Sequence, residues 1–315
     1  MSVVDSFEQR GAMNRAPTRP DVGAQFIAPR GPGEYPTGWG WYLYGITHGT
    51  GPGGAELAGG PGLDGGLPVQ LLPHGQLIAI VSPVRLDELG AEAIRSRLQD
   101  MAWLEAMVRG HERVVETVQR ARGILPARFG CVYVDTQALA EALERTHDDL
   151  IARLEGLAGC DEWGIRLYAN RQAFQERVSA ENAAVRQIEA ELATAQPGRA
   201  YFLRRKLSDV LAKATEEALD AVAQADYDHL SRYAVAGHIS PPHTRAEVGP
   251  SRGLHPARGD VEILRAAFLV RRSGTDRFVE EAGRFAEGHA GLRCEYSGPW
   301  PPYSFASIDG GGHPQ

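Results

Sequence analysis

The chain has 315 residues, a mass of 34.1 kDa and a formal net charge of −7 at pH 7. This length corresponds to two domains of about 150 residues, and 43% hydrophobic with 23% charged residues is a composition typical of a globular protein. The acidic excess argues against a protein that tracks nucleic-acid phosphates, and no apolar stretch approaches the roughly 18 residues of a membrane span.

The first 38 residues contain several prolines and glycines and no apolar periodicity, which predicts a disordered N-terminal arm at 1–38. Residues 1–10 have no apolar core of a signal peptide, so we expect no secretion. An N-terminal α+β domain is predicted at 39–159, with a Gly-rich loop at 49–68.

Alternating aromatic and branched residues predict a strand at 41–47, and residues 69–81 predict a β-hairpin. A long amphipathic helix carrying His111 on its apolar face is predicted to end at Gly123. Asp135 or Thr136 is a plausible N-cap for the next helix. The positions predicted to lie on the buried face of a half-buried sheet are Tyr42, Tyr44, Ile46, Leu77, Ala79 and Val81.

The second half predicts a C-terminal domain at 160–308 with a flexible tail at 309–315. Its order of elements is βαββαβ, the ferredoxin-like arrangement, with the first helix enlarged into an antiparallel helical hairpin at 170–230. Gln196-Pro197-Gly198 separates the two helical segments, and Pro241–Arg258 is a predicted linker. The predicted fold class is therefore α+β with two domains.

Gly49, Gly51 and Gly54 have the spacing of a dinucleotide-binding fingerprint. The fingerprint also requires a helix at its end, whose amide groups meet the pyrophosphate. Here Gly59-Gly60-Pro61 follows directly and leaves no room for a helix. A surface loop is the better interpretation.

Cys131, Cys160 and Cys294 are odd in number and far apart, which favours free thiols in a reducing compartment over disulfides. A nucleophilic role for Cys131, with His111 or His147 as base, is disfavoured because no nucleophile elbow surrounds the cysteine. A small buried residue fits its strand context better. Likewise, His111 is better interpreted as a hydrogen-bonded core histidine than as a ligand or base.

His238, His243 and His255 fall within one segment, but no Cys or carboxylate stands at the usual ligand spacing. Solvent-exposed loop histidines are the simpler interpretation. Adjacent carboxylates such as Asp148 and Asp149 point about 100° apart on a helix, so they do not converge on one substrate.

The most unusual segment is Gly298-Pro-Trp-Pro-Pro-Tyr-Ser-Phe305. Its three prolines remove backbone donors, so we expect it to leave the sheet as a stiff extended piece with three aromatic anchors. Two interpretations remain open. The segment either lies over its own domain and locks the last strand, or presents aromatic surface to a partner.

This segment resembles the closing signature of the GvpL/GvpF gas vesicle proteins. Leu125-Pro-Ala-Arg-Phe-Gly130 is similar to that family's Leu-Pro-x-Arg-Phe-Gly segment. Trp163-Gly164, Gly198-Arg-Ala-Tyr-Phe-Leu-Arg-Arg-Lys206 and Ala267-Phe-Leu-Val270 are similar in identity and order, and Tyr42-Leu-Tyr-Gly-Ile46 more weakly. Together they cover about residues 41 to 308. The arm and the Gly-rich insertion at 49–66 depart from the shared core.

The resemblance implies a cytoplasmic accessory or minor structural protein of gas vesicles, with two α+β domains, no catalysis and no cofactor. The implied partners are the hydrophobic shell protein and other accessory proteins, which this protein would bind during nucleation and assembly, with neither nucleic acid nor membrane as a partner. We expect it to prevent aggregation of the shell protein. The candidate partner-binding or signature residues are Arg128, Phe129, Trp300, Tyr303 and Phe305.

Two other function classes stay open on the residues alone. A ferredoxin-like enzyme or small-molecule-binding domain is compatible with the predicted fold, although the sequence supplies no convergent set of polar groups. A coiled-coil adaptor acting through the hairpin is the other, but the Ala-rich second helix gives a thin seam that suits internal packing better.

Overall fold

The computed structural model describes residues 35–49, 57–63, 66–240 and 260–306. Most of the arm predicted at 1–38, much of the Gly-rich loop, the linker at 241–258 and the tail at 309–315 lie outside these residues. Over the described residues the chain is a mixed α/β structure with two antiparallel sheets, which confirms the α+β class.

The strands of the first sheet all precede residue 134. They are β1 (Trp39–His48), β2 (Gln70–His74), β3 (Leu77–Arg85), β4 (Leu125–Pro126) and β5 (Val132–Tyr133). The order is β2-β3-β1-β4, and β5 also pairs with β1. The predicted hairpin is the β2–β3 pair, with its turn at Gly75-Gln76. Pro73 is tolerated within β2 because β2 is an edge strand.

Among the described residues of this half, the helices are α1 (Leu86–Leu89), α2 (Ala91–Arg97), α3 (Met101–Arg122), α4 (Thr136–Arg145) and α5 (His147–Leu157). As predicted, α3 is followed by Gly123 as its C-cap. The Asp135 carboxylate accepts from the Ala138 amide at 2.7 Å and caps α4. The single helix expected there is divided into α4 and α5 at Thr146.

Both faces of the first sheet are buried, so the half-buried sheet of the sequence prediction is wrong. One face packs against α3, and the other packs against α4 and α5. A β-bulge at Tyr44, between Leu43 and Gly45, shifts the alternation. Tyr42 and Tyr44 therefore face α3, whereas Ile46 faces α4 and α5.

Gly45 is required by the close approach of β4 to β1. A Cβ atom at this position would lie 2.6 Å from the Leu125 carbonyl oxygen and 2.6 Å from Ile124 Cδ1. A side chain here would push β4 off the sheet.

The second sheet follows residue 159. Its strands are β6 (Cys160–Asn170), β7 (Ala236–Ile239), β8 (Asp260–Arg271) and β9 (Leu292–Trp300). The order is β7-β8-β6-β9, with every neighbouring pair antiparallel. The two short or bulged strands, β7 and β9, form its edges.

Within the described part of this half, the helices are α6 (Arg171–Glu181), α7 (Ala183–Ala193), α8 (Pro197–Ser231) and α9 (Thr275–Glu287), with a 3₁₀ turn at Arg272–Gly274. The Asn182 side chain caps α7 by accepting from the Ala184 and Val185 amides. Pro197 begins α8, where its fixed φ suits the first helical position. Both α6 and α7 pack along α8.

The core of the second sheet lies under α8 and α9, where Trp163, Ile165, Phe268 and Phe278 are buried. The strand β9 continues through Pro299 to Trp300, which pairs with Glu162. This corrects our expectation that the prolines would take the segment out of the sheet. Proline has no backbone N–H to donate. The strand β9 tolerates this because it is an edge strand, with no neighbouring strand on one side, and because its register is irregular near Gly298. None of the helices within the described part of the chain has the length and apolarity that a bilayer crossing demands.

Asp226 is the unusual residue of this core. It lies on α8, is fully buried, and neither carboxyl oxygen has a hydrogen-bond partner. Burial raises the pKa of its carboxyl to about 7, while nearby His289 lowers it in part. In turn, burial and then the Asp226 charge raise the pKa of the Cys294 thiol to about 12.

We predict that Asp226→Asn is more stable than the parent at pH 8 and that this difference shrinks at acid pH. The folded pKa of the Asp226 carboxyl lies above its unfolded value of 3.8. The stability contributed by the protonated carboxyl is therefore fully present below pH 3.8 and is lost as the pH rises from there through about 7. The full shift corresponds to roughly 4 kcal/mol. Urea unfolding of both proteins at several pH values measures the difference. Exposed Asp220 on the same helix provides the control, Asp220→Asn. A difference independent of pH would contradict the assignment.

Candidate functional site

His111 lies at the centre of a cluster of aromatic rings between α3 and the first sheet. Its ring is 2% exposed. The centroids of Tyr42, Tyr44, Phe129 and Tyr303 lie 5.7, 5.8, 6.2 and 6.3 Å from that of His111. We call these five residues the aromatic junction. Phe129 comes from the Leu-Pro-Ala-Arg-Phe-Gly segment and Tyr303 from the proline-rich segment, so the two motifs meet at one histidine.

Hydrogen bonds fix the inner part of the junction. The Gly130 amide donates to the Tyr42 hydroxyl at 3.2 Å, and that hydroxyl lies 2.9 Å from His111 Nδ1. Tyr42 therefore bridges the backbone at Gly130 and the His111 imidazole with one hydroxyl group. Tyr44 donates to Ser82 Oγ at 3.0 Å and accepts from the Leu63 amide at 2.9 Å.

Burial keeps the titratable groups of the aromatic junction in their neutral forms. Burial lowers the pKa of His111 to about 4, so the imidazole is neutral near pH 7. Burial also raises the pKa values of Tyr42, Tyr44 and Tyr303 above the ordinary tyrosine value. His111 Nε2 has no hydrogen-bond partner. A neutral, inaccessible imidazole is suited to packing and cannot meet a substrate. His111 is thus the core histidine that its helix position indicates.

The turn after β4 exposes Arg128 to solvent and directs Phe129 towards the core. Gly130 closes this turn with φ at +83°, a conformation that favours glycine. Phe129 is half-buried and packs into the junction. Arg128 is exposed, and its side chain makes no hydrogen bond or ion pair with any other described residue.

The segment 300–306 runs from the edge of the second sheet back to the first sheet, and we call it the closing segment. The Ser304 amide and hydroxyl each donate to the Glu162 carboxylate at 2.7 Å. Glu162 lies on β6, whereas Tyr303 contacts His111 on α3 and Ala306 is buried in the core beneath α4 and α5. The closing segment therefore ties the two sheets together.

Exposure is divided unevenly along the closing segment. Pro301 and Pro302 are buried and Phe305 is half-buried. Trp300 is 44% exposed and Tyr303 is 37% exposed. The prolines rather than the largest rings are the buried anchors, so the segment both locks the chain and leaves aromatic surface open.

A second set of contacts joins the two sheets through polar groups. The Arg272 guanidinium bonds both carboxylate oxygens of Asp161, at 3.0 and 3.1 Å, and also the Gln119 carbonyl at 2.8 Å. The Gln119 side-chain amide donates to Asp161 at 2.8 Å and to the Cys160 carbonyl at 2.9 Å. Because Gln119 is on α3 and Asp161 is on β6, this network fixes α3 beside the second sheet.

The three cysteines are poor nucleophiles in this structure. Burial raises the pKa values of the Cys131, Cys160 and Cys294 thiols, so the reactive thiolate is scarce near pH 7. No bond between Cys131 and either His111 or His147 is seen among the described residues.

One polar cleft of about 450 Å³ opens beside the β2–β3 turn. Both of its histidines are paired with carboxylates: His74 lies 2.9 Å from Glu144, and His147 lies 3.1 Å from Asp148. Nothing in the cleft combines a nucleophile with an oriented base.

Of the three histidines considered as metal ligands, only His238 lies among the described residues. His238 lies on the edge strand β7, and His243 and His255 fall outside the described residues. Across residues 35–49, 57–63, 66–240 and 260–306, no group of three or more His, Cys, Asp or Glu side chains is arranged to hold a metal ion.

The sequence profile of the family described as gas vesicle synthesis protein GvpL/GvpF matches residues 40–307. The chain belongs to the GvpL/GvpF family. It is 32% identical over 267 residues to gas vesicle protein L of Streptomyces sp. (strain CB03234), covering 85% of this chain and 92% of that one. Gas vesicle protein F of the same organism is 28% identical over 266 residues, covering 84% and 98% of the two chains.

Solved structures of the family share the fold. GvpF from Anabaena sp. PCC7120 superposes with a TM-score of 0.65 at 20% identity, covering 85% of this chain and 98% of that chain. GvpF from Microcystis aeruginosa gives a TM-score of 0.59 at 20% identity, covering 85% and 99%. The described mixed α/β architecture is therefore that of GvpF.

The signature residues divide into two groups in this GvpL/GvpF protein. Phe129 and Tyr303 come together at His111, whereas Arg128, Trp300 and Phe305 make no contact with that ring. Sequence reasoning did not find Tyr42 as the hydrogen-bond bridge or Glu162 as the partner of Ser304. Neither had a local signal, because these hydrogen bonds join residues 69, 88 and 142 positions apart.

We predict that Tyr42→Phe destabilises the protein by about 1–3 kcal/mol. The change removes one hydroxyl and leaves the Gly130 amide and His111 Nδ1 without their partner in a buried site. Urea unfolding measures the loss. Tyr201→Phe, at a ring that is 64% exposed, is the matched control and should be neutral. Equal stability of the Tyr42→Phe protein and its parent would show that the bridge contributes nothing.

Proposed function

We propose that this protein is an accessory or minor structural protein of gas vesicle formation, acting in the cytoplasm. It binds the hydrophobic shell protein and other accessory proteins during nucleation and assembly, and it keeps the shell protein from aggregating. Membership of the GvpL/GvpF family carries this proposal. A shell subunit with exposed apolar surface and strand edges aggregates unless a partner covers it.

The exposed surfaces of the second sheet support a binding role. Trp300 and Tyr296 on the edge strand β9 are 44% and 50% exposed, and Ile239 on the opposite edge strand β7 is 46% exposed. Edge strands offer unpaired backbone groups to another chain. Aromatic side chains beside such an edge can cover an apolar surface of the shell subunit, and the closing segment holds Trp300 in place.

We further propose that the protein is not an enzyme and needs no cofactor. The protonated thiols and the neutral, enclosed imidazole of His111 support this part of the proposal. A small-molecule-binding function has less support, since both histidines of the polar cleft described above are already paired with carboxylates.

The organisation into two domains, at 39–159 and 160–308, is part of the proposal. All strands of the first sheet precede residue 134, and all strands of the second follow residue 159. The antiparallel order β7-β8-β6-β9, with helices between β6 and β7 and between β8 and β9, supports a ferredoxin-like second domain with a helical hairpin at 170–230.

We predict that Trp300→Ala retains the parent's stability within about 1–2 kcal/mol, because the ring is nearly half exposed. The same change should weaken co-purification with the shell subunit at least about tenfold, as expected for an aromatic contact at an interface. Thermal melts measure the first effect, and quantitative pull-down of the shell subunit measures the second.

Met101→Ala is the matched control, since Met101 is a 63% exposed apolar residue remote from β9 in sequence and on α3. It should leave both properties unchanged. A large stability loss for Trp300→Ala would assign the ring to the core instead. If the parent protein neither binds the shell subunit nor reduces its light scattering, the proposed function is wrong.

A further inference from the structure

The N-terminal end of α8 presents two aromatic rings to solvent. Phe202 is 71% exposed and Tyr201 is 64% exposed, the two highest values among the large hydrophobic side chains of the described residues. Their ring centroids are 5.6 Å apart in an edge-to-face arrangement. Leaving such a pair in water forgoes the burial that usually stabilises aromatic residues, so its position indicates a contact surface.

Positive charge surrounds this pair. Arg199, Arg204, Arg205 and Lys206 are all exposed. Only Arg199 forms an ion pair with another described residue, Glu191 at 3.2 Å. Four cations within eight residues contrast with a chain whose net charge is −7. We call Arg199, Tyr201, Phe202, Arg204, Arg205 and Lys206 the hairpin tip.

The hairpin tip lies on a packed helix pair. Ala200 and Leu203 are buried on the inner side of α8, which packs against α7. Side chains three and four positions apart share a face of a helix, so Tyr201 lies beside Arg204 and Arg205, and Phe202 lies beside Arg205 and Lys206. The amide end of α8 adds further positive potential at the same place.

We propose that the hairpin tip is a docking site for an acidic, partly apolar segment of a partner protein. The cations pair with carboxylates of the partner, and Tyr201 and Phe202 pack against its apolar side chains. This inference rests on the proposed function, in which the protein works by binding other proteins, and it specifies the chemistry of one contact.

The arrangement of charge and apolar surface favours an acidic protein segment over an anionic lipid surface or a nucleic acid. A lipid surface is bound by a helix that lays a broad apolar face into the membrane, and the apolar face of α8 is already buried against α6 and α7. A nucleic acid is held by about 6–10 phosphate contacts along a basic surface, whereas the hairpin tip has four cations in an acidic chain. Tyrosine and arginine, together with tryptophan, are enriched among the residues that dominate binding energy at protein interfaces.

The test measures binding of a labelled helical peptide of about 20 residues, composed of Glu, Leu and Ala, to the full chain. The same peptide with Lys in place of Glu, phosphatidylglycerol vesicles and a DNA duplex are the comparison probes. Two variants change the tip: Arg204→Ala with Arg205→Ala and Lys206→Ala, and Tyr201→Ala with Phe202→Ala. The control is Arg95→Ala with Arg109→Ala and Arg120→Ala, an equal change in charge at exposed helical positions.

We expect the parent to prefer the acidic peptide, each tip variant to bind it about tenfold more weakly, and the control to match the parent within about twofold. Alanine preserves the helix, and circular dichroism verifies it. The inference is overturned if the parent does not bind the acidic peptide, if tip and control variants bind alike, or if the tip binds vesicles or DNA more tightly. Co-purification of the parent with the shell subunit tests the proposed function separately.

Discussion

The contact between Tyr303 and His111 is the constraint on which the rest of the structure depends. His111 is held by Tyr42, and Tyr42 in turn holds the turn at Gly130. The adjacent Ser304 bonds Glu162 on the second sheet, so one short segment reaches both sheets. A polar network at Asp161 reinforces the same boundary. The bonds of Tyr42 and of Asp161 are buried or partly buried, so leaving one of them unmade would cost more than losing a surface bond.

In this arrangement, different side chains stabilise the fold and remain exposed for contact with other molecules. The prolines of the closing segment are buried, while Trp300 beside them remains nearly half exposed. The helix pair α7–α8 buries its apolar seam and exposes Tyr201 and Phe202. A rigid frame lowers the conformational entropy lost when such rings bind a partner. This combination suits the protein-binding role proposed above.

Local patterns predicted most of the helices and strands, since the α3 periodicity, the Gly123 end and the Asp135 cap depend on neighbouring residues. The motifs also predicted the family. The contacts that build the junction were beyond local reasoning. The bulge at Tyr44 reverses which side chains share a face; the adjacent Gly45 is a residue type that marks bulges, but the alternation of the neighbouring residues concealed this one. The path of Pro299 within β9 depends on β9 being an edge strand, a property of the whole sheet. The pairing of Glu162 with Ser304 joins positions 142 residues apart.

The central claim is that the two family motifs form one packed unit around His111. A double-mutant cycle with Phe129→Leu and Tyr303→Leu tests it most directly, with the free energy of unfolding measured for the parent, both single variants and the double variant. Both rings pack on the same histidine, so we expect a coupling energy of about 0.5–1.5 kcal/mol. Strictly additive effects, within about 0.3 kcal/mol, would show that the motifs are independent and would contradict the account.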